Sequence, residues 1–296
     1  MTWVQAMLAS GGATIRRPRW WLVALAGFLV RGGPILLLPV MLVLPTPAQI
    51  GAGLDPSLTG AAPGDLTPAL LALAAKAVLL LAAGLLLTTL VGSWLEAALI
   101  DDVAAAAELG QIRPTVGVPL GRAVAVRLAA HLPTLVAVLA GGLVLAGATY
   151  AELISPSSTG SLPGRVIARA PGAGVLIVVA WLAGEAWGGM AVRRLGGGAS
   201  LLVAVGGGIG DLLRLSGLAT LALTTGVVGM PVVVLWLAAG RAFDRLWPLL
   251  VDRADPAALV VAASALAGTW AVGLSVLAIA LAFRSVAWTA EALRGS

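Results

Sequence analysis

Cysteine is absent from this sequence, and lysine and histidine occur once each, as Lys76 and His131. Without cysteine there is no disulfide framework, no thiol nucleophile and no thiolate metal site. A metal site built on histidine needs several ligands, so His131 is interpreted as a polar residue at a membrane interface. The sequence therefore predicts no metal and no cofactor.

Charge is also scarce. Only 10% of the 296 residues are charged, 60% are hydrophobic, and the mean hydropathy is +1.04. A soluble domain carries about 25% charged residues, so too few polar side chains are present to cover a globule in water. The lipid bilayer is the natural solvent for such a chain and its first expected partner. The net charge of +5 does not predict nucleic-acid binding, because the basic residues are few and lie between apolar runs.

Long uncharged runs divide the chain into candidate membrane spans. A helix needs about 20 apolar residues to cross the hydrocarbon core, and strands would alternate polar and apolar residues instead. The fourth run reaches that length only if it continues through Glu185 to residue 192. We therefore predict an all-α, six-span integral membrane bundle that forms a single membrane domain over residues 1–296. The runs are 32–54, 77–95, 132–151, 170–184, 215–240 and 256–283.

The distribution of basic residues predicts the orientation. With both termini inside, the inner segments hold 12 arginines and the outer segments hold 5, which is the positive-inside bias of N-in, C-in membrane proteins. Of the 18 basic residues, 17 are arginine. That skew, together with abundant alanine and glycine, indicates a GC-rich bacterial genome, so the predicted location is the cytoplasmic (inner) membrane of a bacterium.

An internal repeat is visible where apolar runs begin. Each of three runs starts just after a short basic, glycine-bearing segment: "RGGPILLLPVMLV" from Arg31, "AHLPTLVAVLAGG" from Ala130 and "RLSGLATLALTTG" from Arg214. A short stretch before each run could form an amphipathic helix. We predict three units, each an in-plane or re-entrant cytoplasmic helix followed by two spans. The short helices are 17–30, 118–130 and 199–213, and the units are 1–112, 113–196 and 197–296.

Arg31 separates two interpretations of the first unit. If residues 17–31 were part of the first span, Arg31 would lie near its middle, which is costly and usually functional. If residues 17–30 lie in the membrane plane, Arg31 lies at the inner interface and its side chain snorkels to water. The repeat favours the second interpretation.

Glutamate recurs where the second span of each unit ends, as "WLEA", "GEAW" and "WTAEA". A carboxylate there faces the negative end of the helix dipole, so a nearby cation should compensate. We predict that these glutamates pair with arginines of the in-plane helices; the alternative is independent interfacial residues beside tryptophans of the aromatic belt. The candidate residues are Glu96, Glu185, Glu291, Arg31, Arg127 and Arg214.

Glu185 is the best candidate for a buried functional carboxylate. It precedes Arg193 by eight residues, which places it about 12 Å into the membrane at helical rise. If it serves transport, other polar groups should line a shared cavity. The sequence offers few of them: Thr88, Thr89, Thr224, Thr225, Ser264 and Ser275.

Enzyme signatures are missing from the sequence. There is no HExxH, no GxSxG and no P-loop, and "VAVGGGIGD" has the wrong spacing for a dinucleotide loop. We predict no catalytic residues. Gly206 with Gly210, and Gly184 with Gly188, form small-xxx-small faces that support close helix packing within or between chains, so a protein partner or a homo-oligomer is possible through them.

The pattern resembles the multi-pass membrane domains attached to some bacterial glycerophosphodiester phosphodiesterases, and related uncharacterised proteins. The resemblance rests on "RRPRWWLVALAGFLVRGG", "GRAVAVRLAAHLP" and the Glu-Ala span ends. It implies a membrane-embedded helical scaffold. It does not imply the phosphodiesterase reaction, because that catalytic domain is absent.

Two classes of function follow. The first is a non-enzymatic membrane protein that acts as a scaffold or as the membrane subunit of a transport or envelope system. The alternative is a small-solute transporter or channel that uses a buried carboxylate. A membrane-embedded lipid enzyme, working through Asp101 and Asp102, is a distant third.

Overall fold

The computed structural model describes residues 2–38, 68–106, 117–155, 162–251 and 255–294, and all regular structure in these ranges is helical. Helices suit this solvent because they satisfy every backbone hydrogen bond internally. The short helices are α1 (Trp3–Arg16), α2 (Pro18–Val30), α3 (Gly33–Leu37), α5 (Leu120–Ala130), α7 (Leu162–Arg169) and α9 (Leu201–Leu213). The long helices are α4 (Pro68–Ala104), α6 (Leu132–Ile154), α8 (Pro171–Gly196), α10 (Leu215–Val251) and α11 (Pro256–Arg294).

Five stretches of the described chain are long and apolar enough to cross a membrane: Ala83–Ala104, Leu120–Glu152, Pro171–Gly196, Leu215–Val251 and Pro256–Ala292. They contain most of the second to sixth predicted runs. The first predicted span, 32–54, lies outside the described residues beyond Leu38.

The surface of the bundle is apolar. Leu143, Leu202 and Leu215 are 77%, 85% and 86% exposed, whereas several charged side chains are buried. That distribution is the reverse of a water-soluble fold. The chain is therefore built as a multi-pass membrane protein whose outer face contacts lipid.

The short helices α2, α5 and α9 begin and end within two residues of the three predicted amphipathic segments. Each is followed by a break in the helical backbone. Gly32 adopts a φ of 101° after α2, a conformation that glycine tolerates best. His131 ends α5 just before Pro133, and Arg214 is extended after α9. Each short helix ends at such a break and the next element begins directly after it.

Helix α1 was not predicted from the sequence. Its start is fixed by a capping box, in which the Thr2 side chain and the Gln5 side chain bond each other's backbone N–H. Its inner face packs on α11 through Ala6, Met7 and Ala287. The capping box is a readable signal, so this helix was open to prediction.

The second half of α11 lies at the centre of the bundle. Val286, Ala287 and Ala292 are fully buried there, and Trp288 is 3% exposed. Helices α1, α2, α8 and α10 all pack against α11. Polar side chains on this segment therefore face protein rather than lipid, so they can bond to charged groups of the neighbouring helices.

Candidate functional site: a buried arginine–glutamate cluster

Glu96 lies at the centre of a charged cluster inside the bundle. It belongs to α4 and is 6% exposed. Its Oε2 accepts hydrogen bonds from Arg31 Nη1 at 3.0 Å and Arg127 Nε at 2.9 Å, and its Oε1 accepts one from Arg193 Nη1 at 3.0 Å. These arginines come from the end of α2, from α5 and from α8. One carboxylate thus joins four helices.

Glu185 of α8 extends the same cluster. Its Oε1 lies 3.2 Å from His131 Nε2, and its Oε2 lies 3.4 Å from Arg127 Nη1 and 4.0 Å from Arg31 Nη1. Arg127, whose side chain is 4% exposed, therefore bridges both carboxylates. His131, interpreted above as an interfacial residue, is a partner of Glu185. Arg31 does not snorkel: its side chain is 24% exposed and turns inward.

Arg193 is the main member of the cluster that sequence reasoning missed. Assigned to a cytoplasmic segment, it is in fact 3% exposed. Besides Glu96, it donates to Thr289 Oγ1 at 3.1 Å and to Ser285 Oγ at 2.9 Å. The signal was its spacing, because residues eight apart lie about 80° apart around the helix axis, within one broad face. Arg193 therefore projects from the face of α8 that carries Glu185.

Arg284 of α11 completes the charged group. Its guanidinium carbon lies 4.3 Å from the centroid of the Trp288 ring, a cation–π contact. Within the described part of the chain, no hydrogen bond or ion pair engages the Arg284 guanidinium. The guanidinium carbon of Arg193 also lies 5.6 Å from the centroid of the Trp288 ring. The indole N–H of Trp288 donates a hydrogen bond to Thr224 Oγ1 at 2.8 Å. Thr224, a candidate for a transport cavity, is thus occupied in packing.

The third predicted pair lies apart from this cluster. Glu291 accepts a hydrogen bond from Ser216 Oγ at 2.6 Å, and Arg214 Nη1 lies 3.3 Å from Asp211 Oδ1. Asp211, 2% exposed, is also bound by the Arg194 guanidinium through both carboxylate oxygens. Asp211 lies three residues before Arg214 on the chain, a spacing at which side chains of a helical turn can pair. This second ion-pair site joins α8 to α9.

Glycines make room for the cluster. A Cβ on Gly92 would lie 2.7 Å from Arg31 Cγ, and one on Gly188 would lie 3.1 Å from Arg127 Cδ. A Cβ on Gly184 would lie 2.8 Å from the backbone oxygen of Ala130. The predicted face formed by Gly184 and Gly188 therefore packs against α5 within the chain.

The other predicted small-residue face behaves differently. No described atom lies within 4 Å of a Cβ built on Gly206 or Gly210. The neighbouring Gly207 and Gly208 make the close contacts instead, with Arg194 and Ala191. Gly206 and Gly210 thus leave a notch on the outer face of α9.

Two cavities adjoin the cluster, and Arg31, Arg127, Trp181 and Glu185 line both. The smaller, about 80 Å³, also touches Glu96, Arg193 and Arg284. The larger, about 450 Å³, has a mainly apolar lining. Its other polar residues are Thr88, Thr89, Ser93, His131 and Thr134. Of the candidate transport residues, Glu185, Thr88 and Thr89 thus reach one cavity.

The chemistry open to this cluster is limited. Guanidinium groups stay protonated in proteins, so the arginines serve as fixed donors and not as acids or bases. Within the described ranges, no group of three or more His, Cys, Asp or Glu residues could hold a metal ion. The arrangement can lock helices together and attract an anion.

Comparison with known proteins adds no assignment. The chain matches no family model, and searches of curated proteins and of solved structures found no match.

Proposed function

We propose that this chain is a non-enzymatic integral membrane protein of the bacterial cytoplasmic membrane, acting as a scaffold or as the membrane subunit of a transport or envelope system. The observation that carries the proposal is the bonding of Glu96 to Arg31, Arg127 and Arg193. Its two oxygens accept hydrogen bonds from donors at the end of α2, on α5 and on α8. A carboxylate bonded to three arginines in this way fixes the positions of the helices that carry them.

The proposed topology has six spans, with the first in residues 32–54, and both termini inside. The proposed repeat is an in-plane helix followed by two spans. Three short helices, α2, α5 and α9, support it, because each ends at a break in the helical backbone. The similarity to phosphodiesterase-associated membrane domains belongs to the same proposal and concerns architecture alone.

The cysteine-free chain allows a direct test of topology. We expect a cysteine at Thr2 to react with a membrane-impermeant maleimide only in inside-out vesicles. A cysteine at Ala168, in α7, should react only from the outer face of spheroplasts. Both positions are exposed in the structure. Labelling of both cysteines from the same side would overturn the six-span arrangement.

A pull-down combined with a flux assay tests the proposed role. The full chain, extracted in a mild detergent, should retain a stoichiometric membrane partner. The purified chain in proteoliposomes should pass charged and neutral small solutes no faster than empty liposomes do. The absence of a partner together with rapid solute flux would contradict the scaffold proposal.

A partner could dock on the notch at Gly206 and Gly210, because no described atom of the chain fills it. A Gly206→Ile variant should then lose the partner, or self-association, while keeping its unfolding midpoint. Retention of the full complex by this variant would exclude the notch as the interface.

A second candidate function, a small-solute transporter or channel, is favoured by the cavity of about 450 Å³ that Glu185 lines with Thr88 and Thr89. Under this proposal, Glu185→Gln should abolish the flux of a transported solute. The control is Asp244→Asn, which neutralises an exposed carboxylate elsewhere. Equal flux through both variants would exclude Glu185 as the transporting group.

A further inference from the structure

The buried cluster contains more positive than negative charge. The smaller cavity is lined by two carboxylates, Glu96 and Glu185, and by four guanidinium groups, those of Arg31, Arg127, Arg193 and Arg284. With His131 neutral, two positive charges are left over. Buried charge is costly unless it is paired, so this site favours an added anion.

Two of these arginines have donors to offer. Arg31 uses Nε for Gly27 O at 3.1 Å and Nη1 for Glu96, while its Nη2 meets no acceptor in the described chain. Arg284 packs its guanidinium on the ring of Trp288 and donates to none of the described groups. Arg31 also lines both cavities, so it can present its free donor to a molecule in the larger one.

The larger cavity has a lining that suits an acyl chain better than a free ion. From Arg31 its wall continues along apolar residues of α4, α6 and α8: Leu85, Leu135, Val138, Ile177 and Val178. Leu85, Leu135 and Val138 are 42%, 42% and 45% exposed, so the cavity opens sideways on the apolar outer face.

One polar side chain in this wall lacks a partner. Ser93 is 1% exposed, and its Oγ makes no hydrogen bond to any described residue. A serine in a helix can bond the carbonyl four residues earlier, but this one does not. Buried hydroxyls are normally satisfied, and this unsatisfied one belongs to the same cavity lining as Arg31.

We infer that this cavity binds an anionic membrane lipid, with its phosphate against Arg31 near Ser93 and one acyl chain along the apolar wall. A free anion would leave that wall unfilled. A zwitterionic lipid would bring its own cation towards the excess of arginines. The inference is independent of the proposed partner, because it concerns a lipid bound by the chain on its own.

The experiment uses the full chain, purified in a neutral maltoside detergent. Phosphatidylglycerol, phosphatidylcholine or inorganic phosphate is added, binding is measured by native mass spectrometry, and the unfolding midpoint is recorded. We expect phosphatidylglycerol to bind and raise the midpoint, phosphatidylcholine to bind at least about tenfold more weakly, and inorganic phosphate to have no effect. A tenfold change in Kd corresponds to about 1.4 kcal/mol.

A matched pair of variants on α6 tests the position of the acyl chain. Val138 lines the cavity, whereas Val136 is 65% exposed and does not. Val138→Trp should weaken phosphatidylglycerol binding about tenfold and Val136→Trp should leave it unchanged, with similar midpoints for both variants before lipid is added. Arg31→Gln should remove the preference for the anionic lipid. If that variant does not fold, the comparison of Val138→Trp with Val136→Trp still tests the inference.

Several results would overturn the inference. Equal binding of the two lipids would mean that the arginines do not select the headgroup. The same rise in midpoint with inorganic phosphate alone would assign the cluster to a free anion. Equal loss of binding in the two tryptophan variants would indicate lipid bound around the bundle and not in the cavity.

Discussion

Replacing Glu96 by glutamine tests the charged cluster most directly, because this substitution keeps the side-chain volume and removes the charge that three arginines share. The amide retains one oxygen and places an NH₂ group where the other oxygen stood. That group would face the donors of Arg31 and Arg127 on one side, or the donor of Arg193 on the other. At least one arginine is then left buried beside another donor.

The magnitude follows from burial. Removing one partner of a buried ion pair costs about 3–5 kcal/mol, because the other charge remains uncompensated. The side chains of Glu96, Arg127 and Arg193 are 5%, 4% and 3% exposed, so bulk water has little access to the vacated position. A loss of this size is a large part of the stability of about 5–15 kcal/mol that domains typically have.

The assay is reversible unfolding in mixed detergent and SDS micelles, followed by tryptophan fluorescence. Asp244→Asn serves as the control, since it neutralises an exposed carboxylate and should leave the unfolding curve unchanged. A loss below about 1 kcal/mol for Glu96→Gln would place the cluster in the range of exposed salt bridges and refute the reasoning. The double variant with Glu185→Gln should be non-additive, because Arg127 bonds both carboxylates.

Three further predictions use the same unfolding assay or hydrogen exchange. Gly184→Ala should destabilise the chain by about 1–3 kcal/mol, because its Cβ meets a backbone oxygen of α5. Gly206→Ala, which has open space around its Cβ, should instead stabilise the chain by up to about 1 kcal/mol through helix propensity. Equal effects of the two substitutions would contradict the packing described here. Arg193→Lys should cost about 1–3 kcal/mol, because an ammonium cannot reach the carboxylate and both hydroxyls of α11 together; an unchanged midpoint would count against this geometry. Glu152→Gln should speed amide exchange in α7, whose two arginines bond this carboxylate, and a slower exchange there would be the contrary result.

The helical elements were accessible from the sequence because their signals are local. Long apolar runs specify the long helices, and a glycine or proline near each break ends α2 and α5. No glycine or proline lies directly beside the break at Arg214. Arg214 itself, a basic residue between two apolar stretches, indicates this break in the sequence. Most of the predicted first span, residues 39–54, lies outside the described part of the chain.

The membership of the cluster was only partly accessible. In an apolar chain, a buried carboxylate requires a cation, which is why the sequence alone matches Glu96 and Glu185 with Arg31 and Arg127. The sequence could not show that Arg127 bridges two carboxylates, because this depends on how α4 and α8 meet at α5. Arg193 was assigned to the cytoplasm by the positive-inside bias, a rule that counts charges without regard to helix face.

The excess of arginine over glutamate indicates that the cluster does more than hold helices together. If rigidity were the only requirement, apolar packing would serve as well, since replacing buried ion pairs by hydrophobic residues is often neutral or stabilising. Four guanidinium groups around two carboxylates also exceed what charge balance within the helices requires. Arg31 shares Glu96 with Arg127 and Arg193, and it also lines the larger, apolar cavity. Arg284 bonds no carboxylate of the described chain and lines the smaller cavity. The cluster is therefore better explained as a helix clamp that also recognises an anionic group from the bilayer than as a clamp alone.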